Sequence, residues 1–170
     1  MACYVALLRA VNVAGTGKLP MAELRAMAEG LGFANVRTWI ASGNLLIESN
    51  KSEAQVKTVL ETCLAEYAGK PVLVLVRTAQ ELTAILAANP FPDAKGSRHL
   101  VYFLDTPPAG DTIDTMKGRQ SERIALGMRE IYVDYGENIR DTKLKFSAIK
   151  TGTARNINTV VKLVAMMEGY

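Results

Sequence analysis

The chain is poor in the residues that form metal centres and disulfide frameworks. Among its 170 residues it has two cysteines, Cys3 and Cys63, and one histidine, His99. Zinc sites need three or four clustered cysteine, histidine or carboxylate ligands. The sequence therefore predicts no metal and no cofactor. We interpret the two cysteines as reduced core thiols, because each falls in an apolar pattern.

Long apolar runs are missing as well. No run approaches the roughly 20 residues that a transmembrane helix needs, and the start of the chain lacks the basic region and small-residue cleavage site of a secretory signal. We expect a cytoplasmic protein with no membrane partner. The composition, with 49% hydrophobic and 22% charged residues, is that of an ordinary globular chain.

Familiar catalytic motifs are not recognisable in the chain. The segment 15–18, Gly-Thr-Gly-Lys, lacks the first glycine and the final hydroxyl of a phosphate loop, because Asn12 and Leu19 occupy those positions. A serine–histidine–acid triad would have to combine His99 with Ser42, but no glycine precedes Ser42 by two positions as in a nucleophile elbow. The sequence therefore leaves open whether the protein is an enzyme, and it indicates no catalytic residue.

The first half of the chain follows the order strand, helix, strand, strand, helix, strand. Two β-like runs flank Ala41-Ser42-Gly43-Asn44, which is a hairpin signal because glycine and asparagine tolerate positive φ. Ser52 and Gln55 form a capping box before an amphipathic pattern that ends at Gly69. The predicted elements are strands at 4–11, 36–40, 45–48 and 72–76, and helices that begin at Pro20 and after Ser52.

The second half repeats this order, except that no last strand is predicted. Thr78 and Glu81 form another capping box, for a connecting helix that stops at Asn89-Pro90. The remaining elements are predicted as strands at 100–104, 123–126 and 130–134, a weak helix at 113–117, a short helix at 144–150, and the final helix.

This order of elements predicts the fold class. Two strand–helix–strand units that meet in one antiparallel sheet define the ferredoxin-like arrangement. The sequence thus predicts an α+β fold with two ferredoxin-like halves, which are split βαβ units with mainly antiparallel sheets, and a C-terminal helix. We place the N-terminal ferredoxin-like half at 1–77 and the C-terminal α+β half, including the final helix, at 78–170.

Positive charge is concentrated near the end of the chain. The segment 140–170 holds six basic and two acidic residues, a net charge of +4, whereas the whole chain carries +3. Such an imbalance favours anionic partners, although a solvated lysine-rich face has the same pattern. Within this segment, Thr153–Thr159 is predicted to open the last helix, where unpaired N–H groups, Arg155 and two asparagines come together.

Three polar clusters at element boundaries form the candidate binding site. They are Arg9 and Asn12 after the first strand, Ser42 and Asn44 at the hairpin, and Arg155, Asn156 and Asn158 at the start of the last helix. Arginine and asparagine offer several hydrogen-bond donors and rarely change protonation, so they suit the binding of an anion better than proton transfer. A structural role is the alternative: the asparagines would cap helices or take left-handed turns, and Arg155 would pair with a carboxylate. The candidate ligand-binding residues are Arg9, Asn12, Ser42, Asn44, Lys143, Arg155, Asn156, Asn158 and Thr159.

Several stretches along the whole chain match a known family. They are Leu7–Val13, Pro20–Arg25, Val36–Asn44, Asn89–Phe91 and Thr153–Leu163. At these residues the chain resembles the family named domain of unknown function 1697. The resemblance implies a bacterial-type α+β protein with ferredoxin-like parts and no established activity. It also implies that the best site candidates are Arg9, Asn12, Ser42, Asn44, Arg155, Asn156, Asn158 and Thr159.

We therefore expect the protein to bind a phosphate-bearing small molecule or nucleotide at the basic start of the last helix, with Arg155, Lys143 and Lys150 holding the anion. Two alternatives stay open. Nucleic-acid binding would use the same basic segment, but only 6% of the residues are aromatic and could stack on bases. A non-catalytic protein-interaction or dimerisation module would use a free sheet edge of the incomplete second half, so that the protein is a monomer or a homodimer.

Overall fold

Two four-stranded antiparallel sheets organise the chain in a computed structural model that describes residues 1–9 and 18–168. By their internal contacts, the residues group into two compact units that divide between Leu82 and Thr83, with the residues from Leu163 onwards grouped with the first unit. We predicted the boundary at 77/78 and the whole final helix in the second half. No helix of the described residues has the length and apolar character that crossing a membrane requires.

The first unit has the element order that the sequence predicts. The sheet has the strand order β2-β3-β1-β4, and every pair of neighbouring strands is antiparallel, which is the ferredoxin-like arrangement. The elements are β1 (Ala2–Leu8), α1 (Met21–Gly30), β2 (Ala34–Trp39), β3 (Asn44–Ser49), α2 (Glu53–Ala68) and β4 (Val74–Thr78).

Local chemistry explains where α2 begins and ends. The Ser52 hydroxyl accepts the Gln55 N–H, while the Gln55 side chain accepts the Ser52 N–H, so the predicted capping box is confirmed. Gly69 ends the helix in the left-handed conformation with a φ of 70°. The inner face of α2 packs with the sheet in one apolar core that includes Leu60 and Tyr4.

The second unit repeats the topology of the first. The helix α3 (Ala79–Ala87) leads into it, and its predicted capping box is present because Thr78 and Glu81 exchange side-chain and backbone hydrogen bonds of 3.1 Å. The strand order is β6-β7-β5-β8, again antiparallel throughout. The elements are β5 (His99–Phe103), β6 (Arg123–Leu126), β7 (Glu130–Asp134), α4 (Ala148–Thr151), β8 (Thr153–Asn156) and α5 (Ile157–Met167).

The structure corrects two predictions for this half. Thr153–Asn156 is the strand β8, paired with β5, so the prediction of a missing last strand and of a helix beginning at Thr153 was wrong. The last helix begins at Ile157. The weak helix predicted at 113–117 is also wrong, because that segment consists of turns and an isolated bridge. Both halves are therefore split βαβ sheets, although the second lacks a helix after its first strand.

Both faces of the second sheet are buried. On one face, Tyr102 on β5 packs with Ile131, Val133 and Leu144 in an apolar cluster. On the other face, Phe103 and Tyr132 are buried, and the Tyr132 hydroxyl donates a 2.8 Å hydrogen bond to the Ile85 carbonyl of α3. Polar side chains on this second face are therefore buried, where a polar group without a hydrogen-bond partner lowers the stability of the fold.

A glycine allows the segment before α4 to lie close against the loop that follows β5. Lys117 and Lys145 exchange backbone hydrogen bonds of 3.0 and 2.7 Å, and Gly118 next to them has a φ of 74°. A Cβ at residue 118 would lie 2.0 Å from the Lys143 carbonyl oxygen. Only glycine fits this conformation and this contact without strain.

We predict that Gly118→Ala lowers the free energy of unfolding by about 1–3 kcal/mol, because it adds a backbone clash to an unfavourable φ. Urea unfolding monitored by circular dichroism measures the effect. Gly110→Ala is the matched control, since no atom lies within 4 Å of a Cβ there and its φ is ordinary. Equal stabilities for the two variants would contradict the prediction.

Candidate functional site

In the first unit, the backbone of Arg9 lies next to the hairpin that carries Ser42 and Asn44. Leu7 on β1 is the register partner of Asn44 on β3, and the Leu8 N–H donates to the Gly43 carbonyl at 2.9 Å. Arg9 follows directly, with its N–H on the Leu73 carbonyl at 2.9 Å. Arg9 therefore lies beside the hairpin, as the predicted site requires. Asn12 falls outside the described residues.

Asn44 has a structural role in this hairpin. Its side chain is fully buried, and its amide donates to the Trp39 carbonyl at 2.9 Å and to the Ser42 hydroxyl at 3.1 Å. The positive φ values of the turn are at Ile40 and Gly43 rather than at Asn44. Asn44 and Ser42 thus tie the turn to the end of β2, whereas the structural alternative considered for Asn44 was a helix cap or a left-handed turn.

Arg155 does not lie at a helix start. It is on strand β8, it is buried, and its guanidinium donates to the Thr153 hydroxyl at 2.8 Å and to the Ala154 carbonyl at 2.9 Å. Burial lowers the pKa of Arg155 to about 10, so the group stays protonated at neutral pH. A buried guanidinium held by its own strand is not positioned to capture an anion at the surface.

The start of α5 is capped by the chain itself. The Asn156 side-chain oxygen accepts the Thr159 N–H at 2.9 Å, which is the N-cap geometry. Asn158 is exposed, and its side-chain oxygen lies 2.1 Å from the position that a Cβ at residue 96 would take. The first turn of α5 is therefore adjacent to the 3-10 turn Gly96–Arg98.

The remaining candidate, Lys143, is exposed and lies near Gly118 rather than at the start of α5. The predicted residues thus form two separate groups. Arg9, Ser42 and Asn44 are in the first unit, whereas the candidates from Lys143 onwards are in the second.

Next to the first turn of α5, the second unit has a groove of about 600 Å³. Two 3-10 turns form it, Gly96–Arg98 before β5 and Gly136–Asn138 after β7. The Tyr135 N–H donates to the Arg98 carbonyl at 2.9 Å and so holds the two turns together. The groove is lined by Ser97, Arg98, Glu137, Ile139 and Arg140.

Charged side chains dominate this groove. The Arg98 guanidinium forms an ion pair with the Glu137 carboxylate. In the part of the chain that the structure describes, Arg140 forms no ion pair and is exposed. We predicted Arg140 only as part of the basic segment and did not predict Arg98 as a site residue. The register of β5 with β7 brings the two arginines together, and the sequence contains no local signal for that pairing.

A hydrogen-bond network around the buried Asp134 carboxylate supports the turn that carries Glu137. Arg123 donates through Nε and Nη2 to Asp134 Oδ2, at 2.9 and 2.6 Å, and it reaches Asp93 at 3.2–3.3 Å. The other oxygen of Asp134 accepts the Gly136 N–H at 3.0 Å. The guanidinium carbon of Arg123 lies 4.8 Å from the centre of the Phe91 ring. These contacts fix the backbone at the edge of the groove.

His99 is sealed beneath this network. Only 1% of its surface is exposed, and its ring packs between Phe91 and Tyr132, with ring centres 5.6 and 6.2 Å away. Within the described chain, its Nε2 has no hydrogen-bond partner. Burial is the main cause that lowers the pKa of His99, opposed by the carboxylate of Asp134. A histidine with a buried, unpartnered nitrogen is not placed for proton transfer to a ligand in the groove.

The described residues contain no cluster of three histidine, cysteine or carboxylate side chains that could hold a metal. Two guanidinium groups and a serine hydroxyl are donors that match phosphate oxygens. The arrangement is suited to binding an anion.

His99 generates a prediction about pH. Because its pKa is lowered in the folded protein, the neutral ring contributes its full stability above the unfolded pKa of about 6.5. Below that pH the unfolded chain binds a proton that the folded protein resists, so the free energy of unfolding falls. His99→Phe keeps an aromatic ring in place but has no group that binds a proton. We therefore expect the variant to lack this fall in the free energy of unfolding between about pH 6.5 and 5.

Urea unfolding of both proteins at several pH values tests this. His99 is the only histidine in the sequence, so no other histidine contributes in that window. His99→Gln is the control that removes the titration without keeping the ring. If either variant loses stability on acidification as steeply as the unmodified protein, the lowered pKa of His99 is not the cause.

Comparison with known proteins places the chain in a family. The model of a family described as protein of unknown function, DUF1697, matches residues 1–132. A conserved bacterial protein from Streptococcus pneumoniae has a similar structure with a TM-score of 0.82 and 25% identity, covering 98% of this chain and 99% of that one. No curated protein matches the sequence. The resemblance found in the sequence is confirmed: the chain belongs to the DUF1697 family of proteins of unknown function.

Proposed function

We propose that the protein binds a phosphate-bearing small molecule or nucleotide in the groove of the second unit. The observation that carries the proposal is the presence of two guanidinium groups, Arg98 and Arg140, on the lining of one groove of about 600 Å³. That volume falls within the roughly 300–1,000 Å³ that small-molecule sites usually have.

The chemistry of the lining residues supports a phosphate. An arginine presents several N–H donors in one plane, and this fork matches two oxygens of a phosphate. Arg140 is exposed, so it can reach an anion without first breaking a buried contact. The Ser97 hydroxyl adds a donor, and Ile139 offers an apolar contact for the rest of the ligand.

The charge of the surrounding segment supports the same ligand class. Arg140 opens the segment 140–170, whose net charge is +4. A local excess of positive charge raises the concentration of anions near the surface and speeds their association. The effect is strongest at low salt, where the Debye length is long.

The proposed site lies beside the first turn of the last helix, and neither Arg155 nor Asn156 is among the residues that line it. Arg155 is buried on β8, and Asn156 already caps α5. Asn158 remains close to the site, since its side chain lies against Gly96 at the edge of the groove.

The two alternative functions have less support in the structure. Nucleic-acid binding on an open sheet face would need exposed aromatic side chains, but Tyr102 and Tyr132 are buried. Dimerisation at the edge of an incomplete second sheet depended on a missing strand, and β8 occupies that position. The groove is the better candidate.

A titration of the full chain tests the proposal. We expect AMP, glycerol 3-phosphate and dimethyl phosphate to raise the melting temperature and to shift amide resonances of the two turns at low salt. Arg140→Ala should weaken binding by about tenfold, because it removes a charge-assisted contact.

Lys150→Ala is the matched control, since Lys150 is an exposed cation of the same unit outside the groove. It should leave the affinity nearly unchanged. If none of the three compounds binds, or if both variants weaken binding equally, the groove is not the site and the proposal fails.

A further inference from the structure

We infer that Glu137 selects the charge of the ligand, so that the groove takes a singly charged phosphate, as in a phosphodiester, in preference to a doubly charged terminal phosphate. The inference rests on the proposed function and names its ligand class. It comes from the ion pair between Arg98 and Glu137, both of which line the groove.

The exposure of the two side chains shows how the pair is arranged. The Arg98 side chain is 28% exposed, whereas that of Glu137 is 86% exposed. The carboxylate thus approaches the guanidinium from the solvent side. It contacts one terminal nitrogen, Nη1, through one oxygen. A guanidinium has five N–H donors, so Arg98 retains donors for a ligand while Glu137 stays in place.

Glu137 is held close to Arg98 by the backbone. Gly136 adopts a φ of 56°, and its N–H is bound by the Asp134 carboxylate at 3.0 Å. The Tyr135 N–H is bound by the Arg98 carbonyl at 2.9 Å. Both turns are therefore anchored to the sheet, which places the exposed Glu137 side chain beside Arg98 on the lining of the groove.

The charges of the groove then favour one kind of anion. Arg98, Arg140 and Glu137 together carry one net positive charge. A singly charged phosphate neutralises it. A doubly charged phosphate is attracted more strongly by the two guanidinium groups, but it leaves one negative charge uncompensated next to the Glu137 carboxylate, and its desolvation cost rises with the square of its charge. Desolvating a charge that stays unpaired is costly, and like charges at short distance repel. A phosphate ester with one substituent carries close to two charges at pH 7.5, because its second pKa is about 6.

Substituting the acidic residue should therefore change the two ligands unequally. The repulsion between Glu137 and a ligand is proportional to the charge of that ligand. Glu137→Gln should strengthen the binding of a singly charged phosphate by about threefold, the usual size of an exposed ion-pair effect. It should strengthen the binding of a doubly charged phosphate by about the square of that factor, or tenfold.

The experiment compares dimethyl phosphate with methyl phosphate, which have similar size and different charge at pH 7.5. Both are titrated at low salt into the full chain, and resonances of the two turns report binding at millimolar affinity. We expect the unmodified protein to bind dimethyl phosphate at least as tightly as methyl phosphate, and Glu137→Gln to shift the ratio of the two affinities about threefold towards methyl phosphate. Asp114→Asn is the control, because it removes an exposed carboxylate of the same unit outside the groove.

Three results would overturn the inference. The first is that the unmodified protein prefers methyl phosphate. The second is that Glu137→Gln changes both affinities by the same factor, as expected if Glu137 only competes with the ligand for Arg98. The third is that Glu137→Gln weakens the binding of both ligands, as expected if Glu137 contacts the ligand directly. In each case, loss of binding in Arg140→Ala would leave the proposed function intact. Binding that Arg140→Ala does not affect would instead overturn the proposed function.

Discussion

The second unit depends on how the Asp134 carboxylate is satisfied. Asp134 ends β7 with 8% of its surface exposed, between its register partners Arg123 on β6 and His99 on β5. A buried carboxylate is costly unless donors surround it. Here Arg123 provides two of them and the Gly136 N–H a third. One side chain thus joins two strands and sets the direction in which the chain leaves the sheet.

The position of the groove follows from this contact. The turn after β7 is anchored at Gly136 by Asp134 and at Tyr135 by Arg98. Its opposite wall, Gly96–Arg98, leads directly into β5. Both walls therefore continue strands of one sheet. A site built on such anchored turns loses little conformational entropy when a ligand binds.

Much of the fold could be predicted from local patterns. The hairpin at Gly43 and the capping boxes at Ser52 and Thr78 depend on residues close in sequence, and the structure contains all three. Strand β8 could not be predicted in this way. Its sequence, Thr-Ala-Arg-Asn, has one apolar residue, and Arg155 is buried by neighbouring elements rather than exposed as its polarity indicates. The burial of polar strand residues is decided by tertiary structure.

The candidate site was less predictable than the fold. The charge of the segment 140–170 led to Arg140, but Arg98 and Glu137 become its neighbours only through the pairing of β5 with β7. Asn156 illustrates the opposite case. Its identity indicated a cap as one alternative, although the helix was predicted to begin at Thr153, and the side chain makes that hydrogen bond. Local hydrogen bonds are readable from sequence, whereas contacts between distant turns are not.

Arg155 gives the second sheet a further property. It pairs with Val101 across the strands, and His99 is two residues from Val101 on β5, so Arg155 and His99 lie on the same face. The guanidinium remains protonated at neutral pH even though burial lowers its pKa, whereas the imidazole is neutral there. On this face of the sheet, Arg155 is charged at and below neutral pH, whereas His99 becomes charged only on acidification. Mild acid therefore changes the charge of His99 and not that of Arg155.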